Sequence, residues 1–279
     1  MDLFSKSGVK NLLKKYQIRP SKRLGQNFLI DKGAIRKIIA AADLQPDDVV
    51  LEIGPGIGNL TQELAKRAKK VIAVEKDQKM VKILQRLLEC WNVKNVMLIQ
   101  EDILKLNSKP YTLKLYKVVG NLPFYLTAPV IRKFLETVEV KPQQMIFVVQ
   151  KEVAQRICAK PPDMNLLAVS VQFYAEPKII SYISRKSFWP SPKVDSAIIK
   201  IIPKKLSTKP GNVDLFFKIV RAGFSHPRKQ LINNLSTGLN TERQIIQKWL
   251  LKNNIQPSQR GETLSIQDWI ELTKTFIMK

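Results

Sequence analysis

The chain has 279 residues, 44% of them hydrophobic, enough for one large domain and a small one, each with its own packed core. Forty-seven Lys and Arg against 23 Asp and Glu give a formal net charge of +24, a field that attracts polyanions and ranks nucleic acid first among partners. The single histidine, His226, argues against histidine-based hydrolases and imidazole zinc sites, and the distant Cys90 and Cys158 indicate neither a disulfide framework nor a metal knuckle.

No apolar run reaches the roughly 18 residues of a membrane span, and no signal-peptide pattern follows the basic N-terminus, so the cytoplasm is the expected compartment. Residues 1–23 read as a basic arm or short helix: Lys6, Lys10, Lys14, Lys15, Arg19, Lys22 and Arg23 accompany Val9, Leu12, Leu13 and Tyr16 at helical spacing. From residue 49 compact apolar strands alternate with helices. Strands are predicted over 49–53, 71–74, 96–99, 117–119 and 145–149, with helices around 61–70, 80–89, 127–136 and 151–159. That alternation predicts an α/β fold, a Rossmann-like sheet covered on both faces, whose ligands bind beyond the strand C-termini.

Runs 178–183 and 195–202, flanking the proline-marked Phe188-Trp189-Pro190-Ser191-Pro192, are expected to finish the sheet with an antiparallel pair. Pro203 to Gly211 reads as a linker. Beyond it lies a small C-terminal all-α domain, with helices over 214–224 and 228–235, one opened by Thr241 with Gln244, and one opened by Ser265 with Asp268. The expected domains are therefore an arm at 1–23, a sheet domain at 24–205 and a helical domain at 206–279.

In Leu51-Glu52-Ile53-Gly54-Pro55-Gly56-Ile57-Gly58 a strand runs directly into glycines and then a helix, letting the backbone approach a nucleotide-like ligand. Asn59 stands where the dinucleotide fingerprint needs its third glycine, and the G-x-G-x-G spacing instead resembles the first motif of class I methyltransferases. Glu75, ending the next strand, suits both ribose hydroxyls of an adenosyl group, and Asp102, after the third, suits the adenine amine.

After the fourth strand, Asn121-Leu122-Pro123-Phe124 resembles the signature of amino methyltransferases, with Tyr125 beside it. An exocyclic adenine amine is a poor nucleophile because its lone pair is delocalised. The Asn121 carboxamide oxygen and the Leu122 or Pro123 carbonyl would accept its hydrogens, while Phe124 stacks on a base taken out of its helix. A sulfonium leaving group is already activated, so positioning suffices and no strong base is required.

Together these motifs resemble the ribosomal RNA adenine dimethyltransferases, the KsgA-like family, over nearly the whole chain. Arg23-Leu24-Gly25-Gln26-Asn27-Phe28-Leu29, Gln150 to Arg156 and Pro192 to Ala197 are similar to further family blocks. The resemblance implies a class I methyltransferase sheet and S-adenosyl-L-methionine held by Asn27, Leu29, Gly54, Gly56, Glu75, Asp102 and Asn121, with Gln26 and Phe28 shaping a lid. It implies a catalytic loop of Asn121, Leu122, Pro123 and Phe124 acting on two adjacent adenosines near the 3′ end of small-subunit rRNA, in a pre-30S particle, by a monomeric enzyme with a role in ribosome biogenesis. Two departures stand out: Phe124 where the family usually has Tyr, and Phe224-Ser225-His226-Pro227-Arg228-Lys229 where it commonly has consecutive basic residues. The competing readings are a large-subunit adenine methyltransferase of the macrolide-resistance type and an assembly factor with a vestigial site.

Overall fold

A computed structural model of the chain describes residues 2–106, 115–204 and 213–276. In chain order the first half forms α1 (Lys6–Lys15), β1 (Phe28–Leu29), α2 (Lys32–Ala42), β2 (Val49–Ile53), α3 (Asn59–Ala65), β3 (Lys70–Glu75), α4 (Gln78–Cys90), β4 (Val96–Gln100), β5 (Lys117–Asn121) and α5 (Thr127–Arg132). It continues with β6 (Gln144–Gln150), α6 (Lys151–Ile157), α7 (Leu166–Tyr174), β7 (Ala175–Ile183), β8 (Phe188–Trp189), β9 (Ser196–Pro203) and α8 (Val213–Gly223). The last helices are α9 (Leu231–Leu239), α10 (Arg243–Lys252) and α11 (Ile266–Thr275).

Seven strands make one sheet in the order β4-β3-β2-β5-β6-β9-β7. The first five run parallel, and β9 is antiparallel to β6, so the expected late reversal is present. The strand order turns outward in both directions from β2 and β5, the switch point at which open α/β sheets bind ligands. A separate two-stranded ribbon pairs Phe28 with Trp189 and Leu29 with Phe188, so the proline-marked segment fastens the N-terminal motif and stays outside the main sheet.

Helix α2 had no counterpart in the sequence expectations, although its signals are strong. Asp31 caps it, accepting from the Gly33 and Ala34 amides, and Ile35, Ile38, Ile39 and Ala42 recur at helical spacing on a buried stripe. Its C-terminal carbonyls, which no further turn can satisfy, accept from the sheet instead: Ala41 from Lys200, Ala42 from Gln144 and Asp43 from Lys117. Helix α7 was also unanticipated. Its run Leu-Leu-Ala-Val-Ser-Val-Gln-Phe-Tyr is apolar nearly all round, so no 3.6-residue stripe marks it.

The chain divides into two compact units, residues 1–154 with 177–203 and residues 155–176 with 204–279. Two features differ from the sequence expectations. Residues 1–23 belong to the first unit: α1 buries Val9, Leu12 and Leu13 in one cluster with Phe28, Ile57, Met80 and Ile83, and its lysines remain exposed. The helical unit takes 155–176 as well, because Ala168, Val169 and Phe173 share a core with Phe216, Leu235, Trp249 and Trp269. The linker expectation falls largely on residues 205–212, outside the described residues.

In the helical unit the Ser265–Asp268 capping box forms in full, whereas Glu242 stands at the N-cap position of α10 without a side-chain capping bond and no Thr241–Gln244 box forms. Thr241 instead follows α9, its amide bonded to the Ser236 carbonyl, so that it belongs to the end of that helix. Buried Asn234 donates to the Gly223 and His226 carbonyls, fixing the loop that exposes Arg228 and Lys229.

In the first unit, buried Asn59 is the lock on the N-terminal segment, its Nδ2 donating to Leu3 O at 2.8 Å and Leu29 O at 2.9 Å. Asn59→Ala leaves two carbonyls without that donor. It is expected to cost about 1–3 kcal/mol in denaturant unfolding and to make residues 2–27 the first site of limited proteolysis.

Candidate active site

Strand β2 ends at Ile53, and the chain turns through Gly54, Gly56 and Gly58 at φ of +66°, +56° and +83°. Nothing lies within 4 Å of the place a Cβ would take on Gly54, so the backbone there is open to close approach by a ligand. At Gly58 a Cβ would stand 2.5 Å from Leu84 Cδ1, so this glycine serves packing of the turn on α4.

Parallel register fixes which side chains share a face. Glu52 pairs with Ala73 on β3 and Val119 on β5, and two residues further along those strands stand Glu75 and Asn121. Side chains two apart lie on the same face, so Glu52, Glu75 and Asn121 converge on the face that packs against α2 and α3. Glu75 is buried, and its carboxylate accepts from the Gly56 amide at 3.1 Å and the Asp77 amide at 2.9 Å, tying the end of β3 to the glycine turn. Burial pushes this carboxyl up from its ordinary value, and the amide bonds oppose that only in part.

Asn121 donates through Nδ2 to the Asn27 carbonyl at 2.9 Å. A carbonyl can only accept, so this bond fixes the flip of the carboxamide and leaves Oδ1 as its free acceptor. Pro123 O already takes the Leu126 amide at 2.9 Å, which makes the Leu122 carbonyl the second available acceptor in this loop. Phe124 and Tyr125 present exposed rings at 38% and 52% accessibility, where a base could stack on them.

Asp102 is less free than its position in sequence suggested. Its Oδ2 takes Lys76 Nζ at 2.8 Å and its Oδ1 the Leu104 amide at 3.0 Å. Burial would raise its carboxyl, yet these partners outweigh burial and hold it below the ordinary carboxylate range. Lys76 is half exposed, so this ion pair contributes little to stability. The N-terminal motif closes the site from the other side: Gln26 accepts from the Ser21 amide and donates to Asp77 at 2.8 Å, while Asn27 Nδ2 reaches Gly25 O.

The residues expected to hold the cofactor and form the substrate loop, Asn27, Leu29, Gly54, Gly56, Glu75, Asp102, Asn121, Leu122, Pro123 and Phe124, line one cavity of about 200 Å³. The same wall includes Glu52, Phe188, Pro192 and Ser196, which the sequence reading did not assign. For Glu52 a signal was present, an acidic residue inside an apolar strand two places before the first glycine. Phe188 to Ser196 reach the cavity only through the β1–β8 ribbon and the β6–β9 register, which no local pattern reveals.

The cavity suits an adenosyl cofactor: it has a backbone cradle at Gly54, an acid at the end of β3, and a buried Glu52 Oε2 without a hydrogen-bond partner. Sheet order and glycine turn together define a class I S-adenosylmethionine-dependent methyltransferase. The profile of the family described as ribosomal RNA adenine dimethylase matches residues 18–275. Ribosomal RNA small subunit methyltransferase A of Dehalococcoides mccartyi is 44% identical over 267 residues, covering 95% of this chain and 91% of its own. A dimethyladenosine transferase from Plasmodium falciparum superposes with a TM-score of 0.72 at 28% identity, covering 87% of this chain and 94% of its own. The 23S rRNA methyltransferase ErmE gives a TM-score of 0.74 at 26% identity, covering 89% and 99%. The chain belongs to the ribosomal RNA adenine dimethylase family, and its methyl donor is S-adenosylmethionine.

Glu52 is 1% exposed, and burial, reinforced by the nearby Glu75 charge and opposed by the Thr61 hydroxyl, pushes its carboxyl up to about 8 from 4.5. Between those values the folded protein holds a proton that the unfolded chain has released, so stability falls as pH rises through this window. Glu52→Gln removes the effect. The stability of the cofactor-free wild type relative to this variant is expected to decline between pH 5 and 8 by up to about 1.4 kcal/mol per pH unit in denaturant titrations.

Proposed function

We propose that this chain N6,N6-dimethylates two adjacent adenosines near the 3′ end of small-subunit ribosomal RNA, within a pre-30S particle in the cytoplasm, as a monomer. The observation that carries the chemistry is the Asn121 carboxamide, held by Asn27 O with its oxygen free beside an exposed Phe124. Two acceptors, Asn121 Oδ1 and the Leu122 carbonyl, draw the hydrogens of the target amine and turn its lone pair out of conjugation. Phe124 holds the ring of the displaced base. The bound cofactor supplies an activated methyl group, which leaves the protein the tasks of orientation and water exclusion.

Support for the small subunit comes from the relatives: the 44% identical protein is a small subunit methyltransferase, whereas ErmE, named for 23S rRNA, is 26% identical. Phosphate contacts are assigned to the exposed lysines of α1 and to Arg228 and Lys229, consistent with the net charge of +24. Among the described residues no helix is long and apolar enough to cross a membrane.

Labelled S-adenosylmethionine, incubated separately with undermethylated small subunits and with large-subunit RNA, is expected to yield dimethyladenosine from the small subunits only. Product from large-subunit RNA alone would assign the chain to the other substrate. Asn121→Ala is expected to abolish turnover and leave RNA affinity within about a few-fold, since its carboxamide orients an amine and contributes little to phosphate binding. Undiminished turnover in this variant would remove Asn121 from the mechanism.

A further inference from the structure

Strand β7 is an edge of the main sheet, and its side chains sort by parity. Ser181 Oγ accepts from Lys37 of α2 at 3.0 Å and Ile183 joins the core beneath that helix, so the odd-numbered face is the covered one. Lys178, Ile180 and Tyr182 stand exposed on the other, Tyr182 with 51% of its surface accessible. Apolar side chains laid out on an exposed edge strand invite unwanted association unless they have an occupant of their own.

The end of β7 lies on the rim of the sheet that carries the cavity. Gln150, the last residue of β6, pairs with Ser196, the first of β9, and both Val149 and Ser196 belong to the cavity wall. The next residue, Lys151, reaches past β9, which lies between β6 and β7, and sets its Nζ 5.3 Å from the centre of the Tyr182 ring. Tyr182 thus stands two strands from β6, roughly 10 Å at the usual spacing. Asp195 ties this rim together: its carbonyl accepts from the Lys151 amide at 3.0 Å and its carboxylate from the Arg185 amide at 2.9 Å. The Arg185 guanidinium in turn donates to the Lys193 carbonyl at 3.3 Å.

Charge points to the occupant. Lys151, Lys178, Arg185, Lys186 and Lys193 are exposed along this strand and rim, and among the described residues none of them enters an ion pair. The acids near them are Glu152, Glu176 and Asp195, which leaves positive charge in excess. A half-exposed ring with an ammonium beside it suits a base and its phosphate together, the ring taking the base by stacking and the cation taking the phosphate. An apolar protein surface would cover Ile180 and Tyr182 but would strip water from the cations without pairing them.

We propose that the exposed face of β7, centred on Tyr182, is a stacking platform for an unpaired nucleotide of the substrate RNA next to the target adenosine, with Lys151 on its phosphate. The inference rests on the reading of this chain as an enzyme that admits an RNA adenine to the cavity. Tyr182 is a positioning residue: it holds the strand so that the target base can enter, and takes no part in methyl transfer.

The test uses the full chain and a short single-stranded oligoadenylate, with binding followed by fluorescence anisotropy. Affinity is expected to fall roughly 5- to 100-fold in Tyr182→Ala and to hold within about twofold in Tyr182→Phe, which keeps the ring. With undermethylated small subunits Tyr182→Ala is expected to raise KM by a similar factor while kcat and S-adenosylhomocysteine affinity stay within about twofold. Lys151→Gln is expected to lower the slope of log affinity against log salt by about 0.7. Ultraviolet crosslinking of the wild-type protein to small subunits is expected to attach RNA to the peptide that contains Tyr182, and this decides the matter even if Tyr182→Ala fails to fold. Unchanged oligonucleotide affinity in Tyr182→Ala, an equal loss in Tyr182→Phe, or crosslinks from this peptide to a ribosomal protein and none to RNA would overturn the platform. Wild-type protein that binds the oligonucleotide through Tyr182 yet methylates no small subunits would overturn the substrate reading and leave the platform standing.

Discussion

The in-register pairing of β2 with β3 and β5 is the constraint on which the site depends. Because Glu52 stands opposite both Ala73 and Val119, the last residues of the two flanking strands, Glu75 and Asn121, emerge on its own face and at neighbouring heights. A slip of one residue in either ladder would turn one of them to the opposite face and dissolve the constellation. The register is protected by burial on this face: Val50, Val71, Val119 and Ile146 pack under α2 and α3, and moving any of them would expose or clash a filled core.

The second requirement is closure. Six residues of the N-terminal motif, Leu24 to Leu29, reach the cavity from a segment that has no place in the main sheet, and Gln26 to Leu29 are each held by a named bond or pairing. Gln26 ties to Asp77, Asn27 to Gly25 and Asn121, Phe28 and Leu29 to the β8 strand, and Leu29 again to Asn59. The bond from Asn121 to Asn27 joins the loop after β5 to this cover. It sets the orientation of the carboxamide before any substrate arrives, a case of preorganisation in which the protein bears the ordering cost during folding.

Much of this was legible in the sequence, for reasons that can be named. The alternation of short β-branched runs with helical stretches gave the sheet, and the glycines after Ile53, the acids after β3 and β4 and the Asn121 loop gave the strand-end residues, since each sits where a period breaks. What escaped was of two kinds. Helix α7 hid because it is apolar all round, and residues 155–176 were assigned to the sheet domain because their packing partners lie more than forty positions away. The state of the acids also escaped. Nothing local shows that Asp102 is met by Lys76, or that Glu52 is buried without a cation, because both depend on what the fold brings alongside.

We infer that the strand ends of one sheet and the N-terminal motif form a single cofactor site. Amide hydrogen exchange with and without S-adenosylhomocysteine tests it most directly. Exchange is expected to slow together in residues 25–29, 53–58, 75–77, 102–104 and 121–124. Slowing confined to residues 128–137 or 213–276, with 53–58 unchanged, would contradict it.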